Sequence, residues 1–369
     1  MSEPRSLAAG APDPDRFAAL ICDWCLELTP GSRVFVDTTT LAGDYARALN
    51  AAILDRDGWP LVSCTPPGLN ADFYRHARER HLSQPPPPEL ALAEGLDAFV
   101  RIDAPGDTQE LASVDAALIA RVASAREPLR ERMRALRYCL TVVPTGALAQ
   151  QAGMDSDEYA AFLTRALFLD REDPSEAWRE LSVRQAALID RLAPARELHI
   201  EAEGTDLRLD VGGRTWVNSD GRRNMPSGEV FTGPLETSAQ GRIRFTIPTG
   251  PAGVSVAGVE LEFRAGRVVG AWAQQGQAYL EAALSTDDGA RLIGELGVGS
   301  NPGIDRATGQ ILLDEKMAGT IHLALGRSYP ETGGINHSAL HWDLICDLRD
   351  GGRLSADGDP VIEDGALRV

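Results

Sequence analysis

The 369-residue sequence has no apolar run long enough to cross a bilayer. Its opening stretch, MSEPRSLAAGAPDPDRF, lacks the apolar core of a secretion signal. No membrane partner is expected, and a cytoplasmic location is. Clustered basic residues are also missing: 36 Lys and Arg stand against 54 Asp and Glu, for a formal net charge of -18 and a pI near 4.8. Nucleic acid, whose phosphates demand clustered cations, is not an expected partner. Cysteines are few, odd in number and scattered, at Cys22, Cys25, Cys64, Cys139 and Cys346, which suits a reducing compartment. The first predicted strand is followed by FVDTTTLAGDY, which has neither a GxGxxG nor a Walker lysine. No nucleotide cofactor is indicated.

What is present is an ordinary globular composition, 43% hydrophobic and 24% charged, on a chain long enough for two domains. Cys22 and Cys25 form a CxxC, but it lies in RFAALICDWCLEL, where Phe17, Leu20, Ile21, Trp24 and Leu28 recur at helical spacing. With no second CxxC to complete a zinc site, the pair reads as core cysteines on a helix. From there helix and strand signals alternate: RVFVDT, PLVSC, DAFVRIDA and YCLTVVP read as strands, separated by helical stretches. Residues 1–194 are therefore expected to form an α/β scaffold domain, a mostly parallel sheet with helices on both faces. From ELHIEAEGTDLRLDV onward the pattern becomes short alternating segments punctuated by glycine, with helical stretches near 276–283 and 286–293. Residues 195–369 are expected to form an α+β domain with a largely antiparallel sheet or barrel.

Chemistry concentrates in that second half. In ALHWDLICDL, residues 339–348, His341, Asp343 and Ile345 share one face of a strand while Trp342, Leu344 and Cys346 share the other. His322 sits on a second alternating segment, GTIHLALG, on the face of Ala324. Two imidazoles and a carboxylate on rigid strands suit a divalent metal, held alone in a facial arrangement or as part of a larger site. Glu229 in SGEVFTG and Glu295 in GELGVG are carboxylates set among apolar residues, which are costly to bury unless paired or metal-bound.

Three long motifs, NMPSGEVFTGP, GELGVGSNPGIDRATGQILLDEKMAGTIHLALGRSYPETGG and HSALHWDLICDLR, resemble the M29 family of metallopeptidases, the aminopeptidase T and aminopeptidase S group. The likeness is strongest from about residue 218 to 350, and CLTVVPTGALAQQAGM with RALFLD resembles that family's middle segment. The resemblance implies two divalent ions (zinc, cobalt, magnesium or manganese) held by Glu229, Glu295, His322, Tyr329, His341 and Asp343. It implies an aminopeptidase acting on short peptides with a free N-terminus, and a homodimer that encloses the active site. Glu229, Glu295 and Tyr329 are the catalytic candidates, Tyr329 as a ligand or as a donor to the developing oxyanion. The loop from Tyr329 to His341 is shorter than in some members, so pocket details carried by that loop do not transfer. Relatives that open dihydroxypyridine rings with one iron supply an alternative reading, which His322, His341 and Asp343 alone would satisfy. A metal-binding protein without turnover is a third. His337 and Glu331 read as loop residues, and Asp314, Glu315 and Lys316 as a structural turn.

Overall fold

In the computed structural model, which describes residues 8–250 and 254–368, the alternation of helix and strand in the first half forms a parallel sheet. Strands β1 (Arg33–Thr39), β2 (Trp59–Thr65), β3 (Ala98–Asp103) and β4 (Arg137–Val142) lie in the order β2-β1-β3-β4. A two-residue strand, Asn224–Met225, joins in parallel beside β4. Val34, Val36, Val100 and Ile102 are buried in this sheet. The helix Gly43–Asp55 packs on it and buries Tyr45, Ala46, Leu49 and Ile53. Pro14–Leu20 is capped by Asp13, whose carboxylate accepts from Arg16 N. It continues as a wider π turn over Ile21–Cys25, with Cys22 and Cys25 both buried, in keeping with core cysteines.

The remainder is built from antiparallel strands. In chain order these are β5 (Glu197–Ala202), β6 (Thr205–Asp210) and β7 (Val217–Ser219), with β8 the Asn224–Met225 strand already placed. Then come β9 (Glu229–Thr232), β10 (Gln240–Phe245), β11 (Val259–Arg264), β12 (Arg267–Trp272), β13 (Ile293–Gly299), β14 (Thr320–Gly326), β15 (His341–Asp347), β16 (Arg353–Ala356), β17 (Asp359–Glu363) and β18 (Ala366–Leu367). They make an eight-stranded sheet, β12-β11-β10-β6-β5-β16-β17-β18, and a five-stranded one, β15-β14-β13-β9-β7. Leu207, Ile243, Phe245, Leu261 and Phe263 of the larger sheet share one core with Val230, Leu296, Val298, Leu323 and Leu344 of the smaller. At roughly 1.5–3 kcal/mol for each fully buried side chain of this size, that core is the main force joining the two sheets.

The compact units are residues 8–178 with Gly221–Pro226, and Arg179–Asp220 with residues 227–368. The change of sequence character at residues 194 and 195 marks the approach to β5. The units divide earlier, inside the helix Pro174–Leu192, and the short return through Gly221–Pro226 adds its strand to the parallel sheet. One expected helix is shorter than its sequence suggests. Of 286–293, only a 3-10 turn forms over Asp288–Arg291, with Asp287 capping Ala290 N, because Ile293 already belongs to β13. No described helix is long and apolar enough to cross a membrane.

Candidate metal centre

Alternation on four neighbouring strands assembles the site. His322 on β14 lies opposite Gly297 of β13 on one side and Ile345 of β15 on the other. A register shift between Ile293 and Glu295 sets Glu295 opposite Ala324, and Asp343 flanks Ala324 from β15. Small residues make this possible. A Cβ on Gly297 would lie 2.1 Å from Cε1 of the His322 ring, so the glycine leaves the space the imidazole fills. Gly299, where a Cβ would come within 2.1 Å of the Met317 carbonyl, lets the turn before β14 approach in the same way.

The donor atoms converge. Glu295 reaches both histidines, with Oε1 3.5 Å from His322 Nε2 and Oε2 3.5 Å from His341 Nε2. His322 Nε2 is also 3.5 Å from Glu229 Oε2, and His341 Nε2 is 3.7 Å from Asp343 Oδ1. Two triads result, Glu229 with Glu295 and His322, and Glu295 with His341 and Asp343, each with ligand atoms within 4.8 Å of one another. Backbone carbonyls set the tautomers. His322 Nδ1 is 3.1 Å from Glu315 O, and His341 Nδ1 is 2.9 Å from Arg327 O. A carbonyl only accepts, so each Nδ1 carries the hydrogen and each Nε2 turns its lone pair to the cluster when the ring is neutral.

The electrostatics follow from burial. Glu229 and Glu295 are each 5% exposed and His322 is wholly buried. Burial pushes the Glu229 carboxyl up to about 7 against the opposing pull of Lys316 and His322, and raises Glu295 for the same reason. Burial disfavours a charged His322, but the hydrogen bond to Glu295 and the charges of Glu229, Glu295 and Glu315 outweigh it and push the imidazole up to about 10. His341 is raised likewise: Asp343 and Glu295 overcome the effect of its burial. Glu229 Oε2 is buried and accepts no hydrogen bond. A desolvated carboxylate oxygen beside imidazole nitrogens fits a divalent cation, which would supply the missing charge.

The sequence-expected residues come together. Glu229, Glu295, His322, His341 and Asp343 form the cluster, and Tyr329 lies against it, its ring 5.1 Å from that of His341 in an edge-on arrangement. Burial and the nearby carboxylates Glu295 and Asp343 push the Tyr329 phenol upward, so its O–H is retained as a donor. Phe231, on the Glu229 face of β9, packs 5.6 Å from the Tyr329 ring. His337 and Glu331 are exposed in the loop between β14 and β15.

The turn before β14 is ordered as expected and also brings charged side chains to the cluster. Asp314 does order the turn, accepting from Thr308 N and Oγ1 and from Gly309 N. Glu315 instead forms a third ligand-like triad with His322 and Asp343. Lys316, wholly buried, pairs with Glu315 and lies 3.5 Å from Glu229 Oε1. The signal for both was an acid and a base in ILLDEKMAGTIHL, an otherwise apolar run leading into the His322 strand.

The model of the family described as thermophilic metalloprotease (M29) matches residues 12–366. Aminopeptidase 2 of Geobacillus stearothermophilus is 31% identical over 397 aligned residues, covering 95% of this chain and 94% of that protein. Aminopeptidase T of Thermus aquaticus is 31% identical over 255 residues, 60% of each chain. Among solved structures, wild-type AmpT from Thermus thermophilus superposes with a TM-score of 0.82 at 22% identity, covering 96% of this chain and 99% of that one. The 2,5-dihydroxypyridine dioxygenase of Pseudomonas putida KT2440 superposes at 0.61 with 17% identity, covering 96% of both chains. That second likeness is one of fold.

Proposed function

Because this chain belongs to the M29 family of metallopeptidases and is a peptide hydrolase of the aminopeptidase kind, we propose that it removes the N-terminal residue from short peptides using two divalent ions held by Glu229, Glu295, His322, Tyr329, His341 and Asp343. The observation that carries the two-ion reading is Glu295. Its two oxygens lie 3.5 Å from two different histidines, and Glu295 is the residue common to the two triads that hold those histidines. A carboxylate so placed would serve both ions, with Glu229 and His322 holding one and His341 and Asp343 the other.

The ions would lower the pKa of a bound water and polarise the scissile carbonyl. The protein's own contribution is position and charge. The carbonyls of Glu315 and Arg327 hold both imidazoles with Nε2 inward. Tyr329, whose O–H is retained, serves as a ligand through its phenol oxygen or as a donor to the oxyanion that forms on the carbonyl oxygen. Glu315 extends the donor set and adds to a net negative field that suits a substrate's ammonium group. Zinc or cobalt suits the mixed imidazole and carboxylate set, and magnesium or manganese its carboxylates. A cytoplasmic setting accords with the unbridged, exposed Cys64, and the homodimer is carried by the family resemblance. The iron dioxygenase reading is not favoured, since a single-ion site needs neither Glu229 nor Glu295.

The test is hydrolysis of aminoacyl anilides and dipeptides before and after chelation, with zinc, cobalt, magnesium or manganese added back. Chelator-sensitive release from free but not N-acetylated substrates is expected. No release with any metal, together with oxygen uptake on iron loading, would sink this reading.

A further inference from the structure

Of the 36 lysines and arginines in the sequence, Lys316 is the single lysine. It is also wholly buried. A chain that meets every other cationic need with arginine places its one ammonium beside the ligand cluster.

We propose that Lys316 is a positioning residue of the metal centre: its ammonium holds Glu229 by Oε1 and Glu315 by Oε1, so that Glu229 presents Oε2 alone to the ion beside His322. This rests on the two-ion reading above and adds a residue to it. The geometry divides the two oxygens of Glu229 between two tasks. Oε1 lies 3.5 Å from Lys316 Nζ, while Oε2 lies 3.5 Å from His322 Nε2 and accepts no hydrogen bond. Glu315, paired with the same Nζ, is restrained next to its own triad.

The two partners are built to a common frame. Lys316 N donates to Leu313 O at 3.0 Å, and Lys316 O accepts from Asn301 N at 3.0 Å. Asn301 Nδ2 in turn donates to Ser227 O at 2.8 Å, two residues before Glu229. A Cβ on Gly228 would come within 2.7 Å of Asn301 Cβ, so Gly228 allows this close approach. One asparagine thereby ties the lysine backbone to the chain that leads into Glu229. Such support is what holds a ligand to the tolerance a metal centre needs.

The choice of lysine follows. An ammonium is a compact point charge with three donors, able to take one oxygen from each of two carboxylates. A guanidinium is larger and planar, and its fork favours both oxygens of one carboxylate. In this pocket it would engage Glu229 Oε2 as well and withdraw it from the ion.

The experiment uses the full chain with zinc as the probe. With lysine labelled at Cε and Nζ, a single side-chain resonance reports on Lys316, and it is expected to shift as zinc is added to two equivalents. Lys316→Met, close in size and uncharged, is expected to weaken zinc binding by about 10- to 100-fold, with kcat falling by a similar factor and KM within about threefold. Lys316→Arg should not restore either quantity. In a Glu229→Gln background, Lys316→Met should add little further loss, because the lysine acts through that carboxylate. Wild-type zinc affinity and kcat in a folded Lys316→Met variant would overturn the role of Lys316 while leaving the two-ion reading intact. If that variant fails to fold, the wild-type resonance decides: one that ignores zinc while the chain binds it overturns the proposal. A wild-type chain that binds no zinc and cleaves no peptide overturns both.

Discussion

Strand β14 carries two chemistries on alternate residues. Ile321, Leu323 and Leu325 turn into the core shared with the eight-stranded sheet, while His322 and Ala324 face the carboxylates. The same division runs through β15, where Trp342 and Leu344 pack inward and His341 and Asp343 join the cluster. On one face the requirement is volume and dryness, which many apolar residues satisfy. On the other, the requirement is the placement of a few atoms, and Gly297 stands where a side chain would meet the His322 ring. The apolar face makes the polar one rigid, since a strand pinned by packed leucines cannot slip register without turning its histidine into the core.

Substitutions on the two faces should therefore break different things. The largest effect is expected from Glu295→Gln or His341→Ala: a loss of about 10³-fold or more in kcat/KM for aminoacyl anilides, with the far-ultraviolet circular dichroism unchanged. Retained turnover in either would remove that residue from the centre. One position from His322 but on the other face, Leu323→Ala should lower unfolding free energy by about 2–5 kcal/mol. Its kcat/KM, measured well below the melting transition, should stay within about threefold of wild type. Gly297→Ala joins the two faces, because its Cβ would meet the His322 ring. Zinc affinity by competition titration should fall by about 10- to 100-fold, more than stability does. The most gradual effect concerns protons. If Glu229 and His322 are ligands, zinc would have to displace protons from the first, held near 7, and from the second, held near 10. Apparent affinity should rise with pH, by roughly tenfold per unit between about 7 and 10, where of the two only His322 holds a proton, and more steeply below about 7, where Glu229 is protonated as well. A pH-independent titration would show that these groups are not the ligands.

Much of the second unit's chemistry was legible because strand alternation is strict. The same-face placement of His341 and Asp343, and that of His322 with Ala324, follow from a period of two, and the strands keep it. How the strands neighbour one another is a tertiary fact: Glu295 meets His322 only through the pairing of β13 with β14 and its local register shift. The part Glu315 and Lys316 play beside the cluster was not legible, for a related reason. Both sit in the turn that precedes β14, where no periodicity assigns a face. The return of Gly221–Pro226 to the parallel sheet has no local signal either, since a two-residue strand is too short to show a pattern.

The proposed centre has two ions sharing Glu295. The direct measurement is native mass spectrometry of the full chain as zinc is added, with hydrolysis of a leucyl anilide followed on the same samples. Activity that reaches its plateau when the chain carries two zinc ions, and a Glu295→Gln variant that attains neither, is the predicted result. Full activity with one ion per chain, or an unaltered zinc count in Glu295→Gln, would contradict it.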